Sequence, residues 1–171
     1  DYVQKIHEAG ISLLGIIIYS NSFVSTFHLD DINNIRDNAS IRNLSNIKGM
    51  WEFSQTRFLA LYSFAWNFHY GQLNVGGYHV VNLIIHLINA ILVYWLTFLL
   101  FSTPALKDKF LPGDKTMLSL AVALLFVSHP LATQSVTYIV QRMTSMSAMF
   151  YFLGLVLYLL SRFTDKGKTK T

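Results

Sequence analysis

The 24 residues from Tyr78 to Phe101 hold no Asp, Glu, Lys or Arg. Coiled as an α-helix at 1.5 Å per residue they reach roughly 36 Å, enough to cross a hydrocarbon layer of about 30 Å with some tilt. Three more apolar blocks accompany this one, at residues 10–27, 117–128 and 143–163. The first is interrupted by Ser20, Asn21 and Ser22, and the third is short, with Pro130 set to end it near the surface. The expectation is an all-α integral membrane protein of about four transmembrane helices, a single domain over residues 1–171. Opening on Asp1 rather than Met, it is open to being the N-terminal part of a longer protein.

Composition agrees. Hydrophobic residues make up 53% of the chain and charged ones 13%, about half the roughly 25% of soluble domains. A water-soluble fold this short could not hide so much apolar surface. Block 10–27 is too long for a signal peptide and has no small-residue cleavage site. The net charge of +4 comes from residues between or beyond the apolar blocks. No basic helix or aromatic-interleaved basic patch is present, so nucleic acid is excluded as a partner. With no cysteine there is neither a disulfide nor a thiolate metal site.

Residues 28–77 form a long loop on one side. Ile32, Ile35, Ile41, Leu44 and Ile47 recur at intervals close to three, and an aromatic-rich run from Trp51 to Tyr70 follows. This pattern predicts amphipathic helices lying along the membrane surface. Eight Lys and Arg residues (Lys5, Lys107, Lys109, Lys115, Arg162, Lys166, Lys168 and Lys170) fall in the termini and the 102–116 loop. Five (Arg36, Arg42, Lys48, Arg57 and Arg142) fall in the two opposite loops. The bias puts both termini in the cytoplasm.

Three places carry chemistry. Asp30 and Asp31 follow the first block directly; as adjacent carboxylates they offer a general base or ligands for a divalent cation, or they cap the helix beginning near Ile32. His79, Asn82, His86 and Asn89 are spaced 3, 4 and 3 apart, which is one helical stripe. Polar groups at membrane depth face protein or a water-filled cavity, so the stripe either binds neighbouring helices or lines a pocket. His79 and His86 lie two turns, about 10 Å, apart and cannot share one ion. In the third place, from His129-Pro130 to Arg142, one side is polar. Arg142 at a membrane edge reads first as a snorkelling anchor, although its planar fork of donors also suits a phosphate.

These segments together resemble a family. Phe27-His28-Leu29-Asp30-Asp31, with Asn34-Ile35 and Asn38, is similar to the first outer loop of GT-C fold membrane glycosyltransferases. The similarity is greatest to the transmembrane, tetratricopeptide-repeat O-mannosyltransferase group and its bacterial relatives. Arg57-Phe58-Leu59 leads, as in that group, to Gly77-Tyr78-His79-Val80-Val81-Asn82-Leu83, then His86 and Asn89; His129-Pro130, Thr133-Gln134, Val136 and Arg142 match a third motif.

The resemblance implies a polyprenyl- or dolichyl-phosphate sugar as donor and transfer with inversion. It makes Asp30 or Asp31 the base and His79, Asn82, His86, His129, Gln134 and Arg142 pocket or phosphate-facing residues. The expectation is no cofactor, or a divalent cation at the acidic pair, with membrane lipids and other membrane-protein subunits as partners, in a bacterial inner membrane or, alternatively, that of the endoplasmic reticulum. Members of the family carry more spans and a repeat domain. A four-span chain is therefore also compatible with a non-catalytic accessory subunit of a larger membrane complex.

Overall fold

The computed structural model describes residues 2–109 and 111–168, which are helical with no strand among them. Lys170 and the side chains of Lys166 and Lys168, used above for orientation, lie outside the described residues. The helices are α1 (Tyr2–Tyr19), α2 (Ile47–Phe53), α3 (Phe58–Gly71), α4 (Val75–Phe101), α5 (Pro112–Ser128), α6 (Gln134–Thr137) and α7 (Arg142–Lys168).

Among the described residues two helices are long and apolar enough to cross a membrane, Val75–Phe101 and Ile139–Phe163. A third span arises if α5 and the segment Pro130–Thr137, bent by 53°, act as one broken span. The expected four spans are therefore not reached. α1 falls short because Gln4, Lys5, His7 and Glu8 occupy its first half, and because it stops at Tyr19 instead of running to Phe27. The polar triplet ends it: Ser20 Oγ donates to the Ile17 carbonyl at 2.8 Å and Ser22 Oγ to that of Tyr19 at 2.6 Å. These hydroxyls take acceptors that a further turn of helix would have used.

α4 is the central element, packed against α7, α5 and α1. Asn74 caps its start by accepting the Gly76 amide proton at 3.0 Å. α1 runs antiparallel to it. At one end of the molecule Trp95 Nε1 donates to Glu8 Oε1 at 2.8 Å and His7 meets the Tyr94 hydroxyl at 3.4 Å. Near the other end the Tyr19 hydroxyl donates to the Val127 carbonyl at 3.3 Å. Midway, Gly15 lets the three helices close up, since a Cβ there would press on Leu87 and lie 3.0 Å from Val127 Cγ2.

Residues 128–141 form no continuous helix. Pro130 lacks an amide proton, and the chain passes through two 3₁₀ turns, Pro130–Ala132 and Ile139–Gln141, on either side of α6. Several carbonyls are thus left without an intrahelical partner, a costly condition in an apolar setting.

The long loop folds over this end. A π-helical turn (Ile32–Arg36) and a 3₁₀ turn (Ala39–Arg42) precede α2 and α3. Ile35 and Ile41, two of the periodic isoleucines, are buried with Met50, Leu61, Phe64, Tyr78 and Ile139 in one apolar cluster. The outer faces of α2 and α3 keep Trp51, Leu59, Trp66 and Tyr70 exposed.

Candidate functional site: a cleft beside the acidic pair

The α4 stripe faces the broken segment and supplies the donors it lacks. His79 meets the carbonyl oxygens of Val136 through Nδ1 (2.9 Å) and of Ser25 through Nε2 (2.8 Å). Asn82 Nδ2 donates to the Ile139 carbonyl at 3.1 Å, and His86 Nε2 lies 3.3 Å from that of Val127. Asn89 Nδ2 donates to Ser145 O on α7 at 3.0 Å. All four side chains are buried. Of the two readings of the stripe, the geometry realises the binding of neighbouring helices: His79 and His86 meet carbonyls at the α5 break and in the broken segment, and Asn82 and Asn89 tie α4 to the head of α7 and to α7 itself.

Arg142 starts α7 and is fully buried, not an anchor at the membrane edge. Its Nε donates to Asn82 Oδ1 (2.7 Å), one terminal nitrogen to Asn67 Oδ1 (2.6 Å) and Ser63 Oγ (3.1 Å), and the other to the Tyr78 carbonyl (2.9 Å). The guanidinium also lies over the Phe64 ring, 4.4 Å from its centroid. Arg142 thus joins α3, α4 and α7, and its donors are spent on neutral protein acceptors.

The acidic pair divides. Asp31 is fully buried: Oδ1 accepts the Val140 amide proton at 2.7 Å and Oδ2 that of His28 at 3.2 Å. It makes no side-chain cap to the turn that follows, and each of its oxygens holds one backbone amide proton. Among the described residues no group of three or more His, Cys, Asp or Glu side chains is placed to hold a metal. Burial pushes the Asp31 carboxyl above its ordinary value, against the two amide bonds and the charges of His28 and His79. Asp30 is exposed instead. Its amide donates to the Tyr138 hydroxyl at 3.0 Å, and the His28 ring stacks on Tyr138 at 4.6 Å. Leu29, just before it, has a φ of 47°, a left-handed conformation that a leucine adopts only under constraint.

The Asp30 side belongs to a cleft of about 610 Å³ between the loop, the start of α3 and the outer face of α7. Gln55, Thr56 and Arg57 form one polar wall; Gln141, Thr144 and Ser147 line another, and Met143, Met146 and Phe150 continue it as an apolar surface. Arg57 is exposed, and no ion pair or hydrogen bond among the described residues engages its side chain. Sequence reasoning counted Arg57 as a loop charge and as the first residue of the Arg57-Phe58-Leu59 stretch, and missed its place in the site. The available signal was its position at the head of an aromatic-rich helix, preceded by two polar residues.

Of the remaining candidates, His129 is exposed at the α5 break, where its Nδ1 accepts the Leu131 amide proton at 3.2 Å. It borders a separate apolar hollow with Phe126 and Leu131. Gln134 is exposed on α6. Neither joins Asp30 at the cleft.

The chain is 29% identical over 161 residues to protein O-mannosyl-transferase tmtc2 of Xenopus laevis, covering 86% of this chain and 18% of that protein. It is 30% identical over 163 residues to protein O-mannosyl-transferase Tmtc1 of Drosophila melanogaster, covering 88% and 18%. With TMTC3 of Mus musculus the values are 25% over 162 residues, 87% and 16%. The chain is similar to these O-mannosyl-transferases. It spans less than a fifth of the length of each. No family profile and no solved structure matches it.

Proposed function

We propose that the chain moves a sugar, mannose by the names of its relatives, from a polyprenyl- or dolichyl-phosphate carrier to a hydroxyl acceptor, with inversion. The observation that carries this reading is the pairing in one cleft of an exposed carboxylate, Asp30, with an unengaged cation, Arg57.

Asp30 accepts the proton of the acceptor hydroxyl as its oxygen attacks the anomeric carbon. The bond from that carbon to the phosphate oxygen breaks, and the lipid phosphate leaves with the electron pair. Arg57 pairs with that phosphate through its planar fork of donors. The apolar continuation along Met146 and Phe150 suits the first isoprene units of the carrier. Exposed Trp51, Leu59, Trp66 and Tyr70 support an interfacial position for α2 and α3, which sets the cleft at headgroup depth, where a lipid phosphate resides. On this reading the cleft opens on the outer or luminal face, in a bacterial inner membrane or that of the endoplasmic reticulum.

The test is transfer by the purified chain in phospholipid vesicles, from radiolabelled dolichyl-phosphate mannose to a serine- and threonine-containing peptide. Asp30→Asn should slow transfer at least about 100-fold while leaving helical content unchanged. Full-rate transfer by that variant removes the base assignment, and absence of transfer by the unaltered chain removes the reading.

A further inference from the structure

Beneath the cleft two buried ionisable side chains grip the same two stretches of backbone, and neither faces the substrate space. Asp31 takes the amide protons of His28 and Val140 (3.2 and 2.7 Å). His79 takes the carbonyl oxygens of Ser25 and Val136 (2.8 and 2.9 Å). One stretch, residues 25–28, leads into Asp30; the other, residues 136–140, contains Tyr138, whose hydroxyl holds the Asp30 amide at 3.0 Å. Asp30 is therefore bracketed by the two grips.

The chemistry of the His79 contacts is informative. A carbonyl oxygen accepts and never donates, and a neutral imidazole has one N–H and one bare lone pair. Two carbonyls at bonding distance from the two ring nitrogens call for the ring with both nitrogens protonated. An anion that collects amides and a cation that collects carbonyls then cross-link the same two stretches. Each buried charge supplies counter-charge to the other, and Arg142, whose donor reaches the carbonyl of neighbouring Tyr78, is a further cation nearby.

We infer that His79, as an imidazolium, and Asp31 form a cross-clamp that positions Asp30, so that both are positioning residues of the site and neither reacts. The inference rests on the proposed transfer reaction for its consequence but not for its geometry, and its test separates the two.

The unaltered chain, isotopically labelled at histidine and held in detergent micelles at neutral pH, should give a His79 ring signal with both nitrogens protonated and each coupled to its own hydrogen. A bare ring nitrogen overturns the clamp without any variant having to fold. In Asp31→Asn and His79→Gln, amide hydrogen exchange over residues 25–31 and 136–140 should quicken at least about 10-fold while α4 stays protected. Unchanged exchange overturns the clamp.

In the mannose-transfer assay both variants should lower kcat by roughly 10- to 100-fold with the KM for dolichyl-phosphate mannose within about 2-fold, because a base misplaced by about an ångström loses rate before the donor loses affinity. A rise in KM at constant kcat makes His79 or Asp31 a donor contact and overturns the positioning role. A chain with the predicted ring signal and exchange but no transferase activity keeps the clamp and loses the transfer reaction.

Discussion

Arg142 Nε donates to Asn82 Oδ1 across 2.7 Å, between two side chains that are both shut away from solvent. None of the four acceptors around this guanidinium carries a formal charge. Hydrogen bonds from a charged donor contribute about 1.5–3 kcal/mol each, and here they offset the cost of withdrawing a cation from water. The arrangement makes Arg142 a junction of α3, α4 and α7.

Arg142→Ala should therefore destabilise the fold by at least about 3 kcal/mol, since it leaves acceptors on both α3 and α4 without their donor. Arg142→Lys should recover less than half of that, a single ammonium being unable to span the same acceptors. Denaturant unfolding in one detergent measures both. In a double-mutant cycle with Asn82→Ala the two changes should couple by roughly 1–3 kcal/mol; simple additivity would mean the bond contributes nothing specific.

Burial raises the Asp31 carboxyl above its ordinary value of 3.8, so the folded chain binds this proton more tightly than the unfolded one. The stability contributed by that difference is fully present below the unfolded value and is lost as pH rises through the folded value. Unfolding measured over a pH series should show the unaltered chain gaining on Asp31→Asn as pH falls from neutral into that window. A gap that widens the other way would show that the amide bonds outweigh burial.

Arg57→Ala should leave stability within about 0.5 kcal/mol, as expected of an exposed side chain without partners. In the vesicle assay it should raise the KM for dolichyl-phosphate mannose about 10-fold, a loss close to one charge-assisted hydrogen bond. Arg57→Lys should fall between the two. An unchanged KM would take the phosphate away from Arg57.

Gly15→Val should cost about 1–3 kcal/mol, because the added methyls meet Leu87 and Val127 where α1 presses on α4 and α5. Gly15→Ala should cost less, the nearest atom being the mobile end of the Leu87 side chain. Thermal unfolding of the two variants side by side gives the ranking.

What the sequence determined by itself was local and periodic. The length of 78–101 made α4 a helix long and apolar enough to cross a membrane, and the 3, 4, 3 spacing put His79, Asn82, His86 and Asn89 on one face, because helical repeat depends only on neighbours along the chain. Pro130 ended α5 near where it was expected to, since a missing amide proton acts wherever it occurs. The tertiary structure decided what that face touches: carbonyls some 40 to 60 residues downstream, at a distance that no spacing rule covers. It also decided that Arg142 lies inside and Arg57 in the cleft, since a side chain's burial depends on which distant elements close over it. Asp30 and Asp31 show the limit most sharply. They are identical in chemistry and adjacent in sequence, yet successive residues of a helical turn point about 100° apart. One turns to the amides of His28 and Val140, and the other to open space.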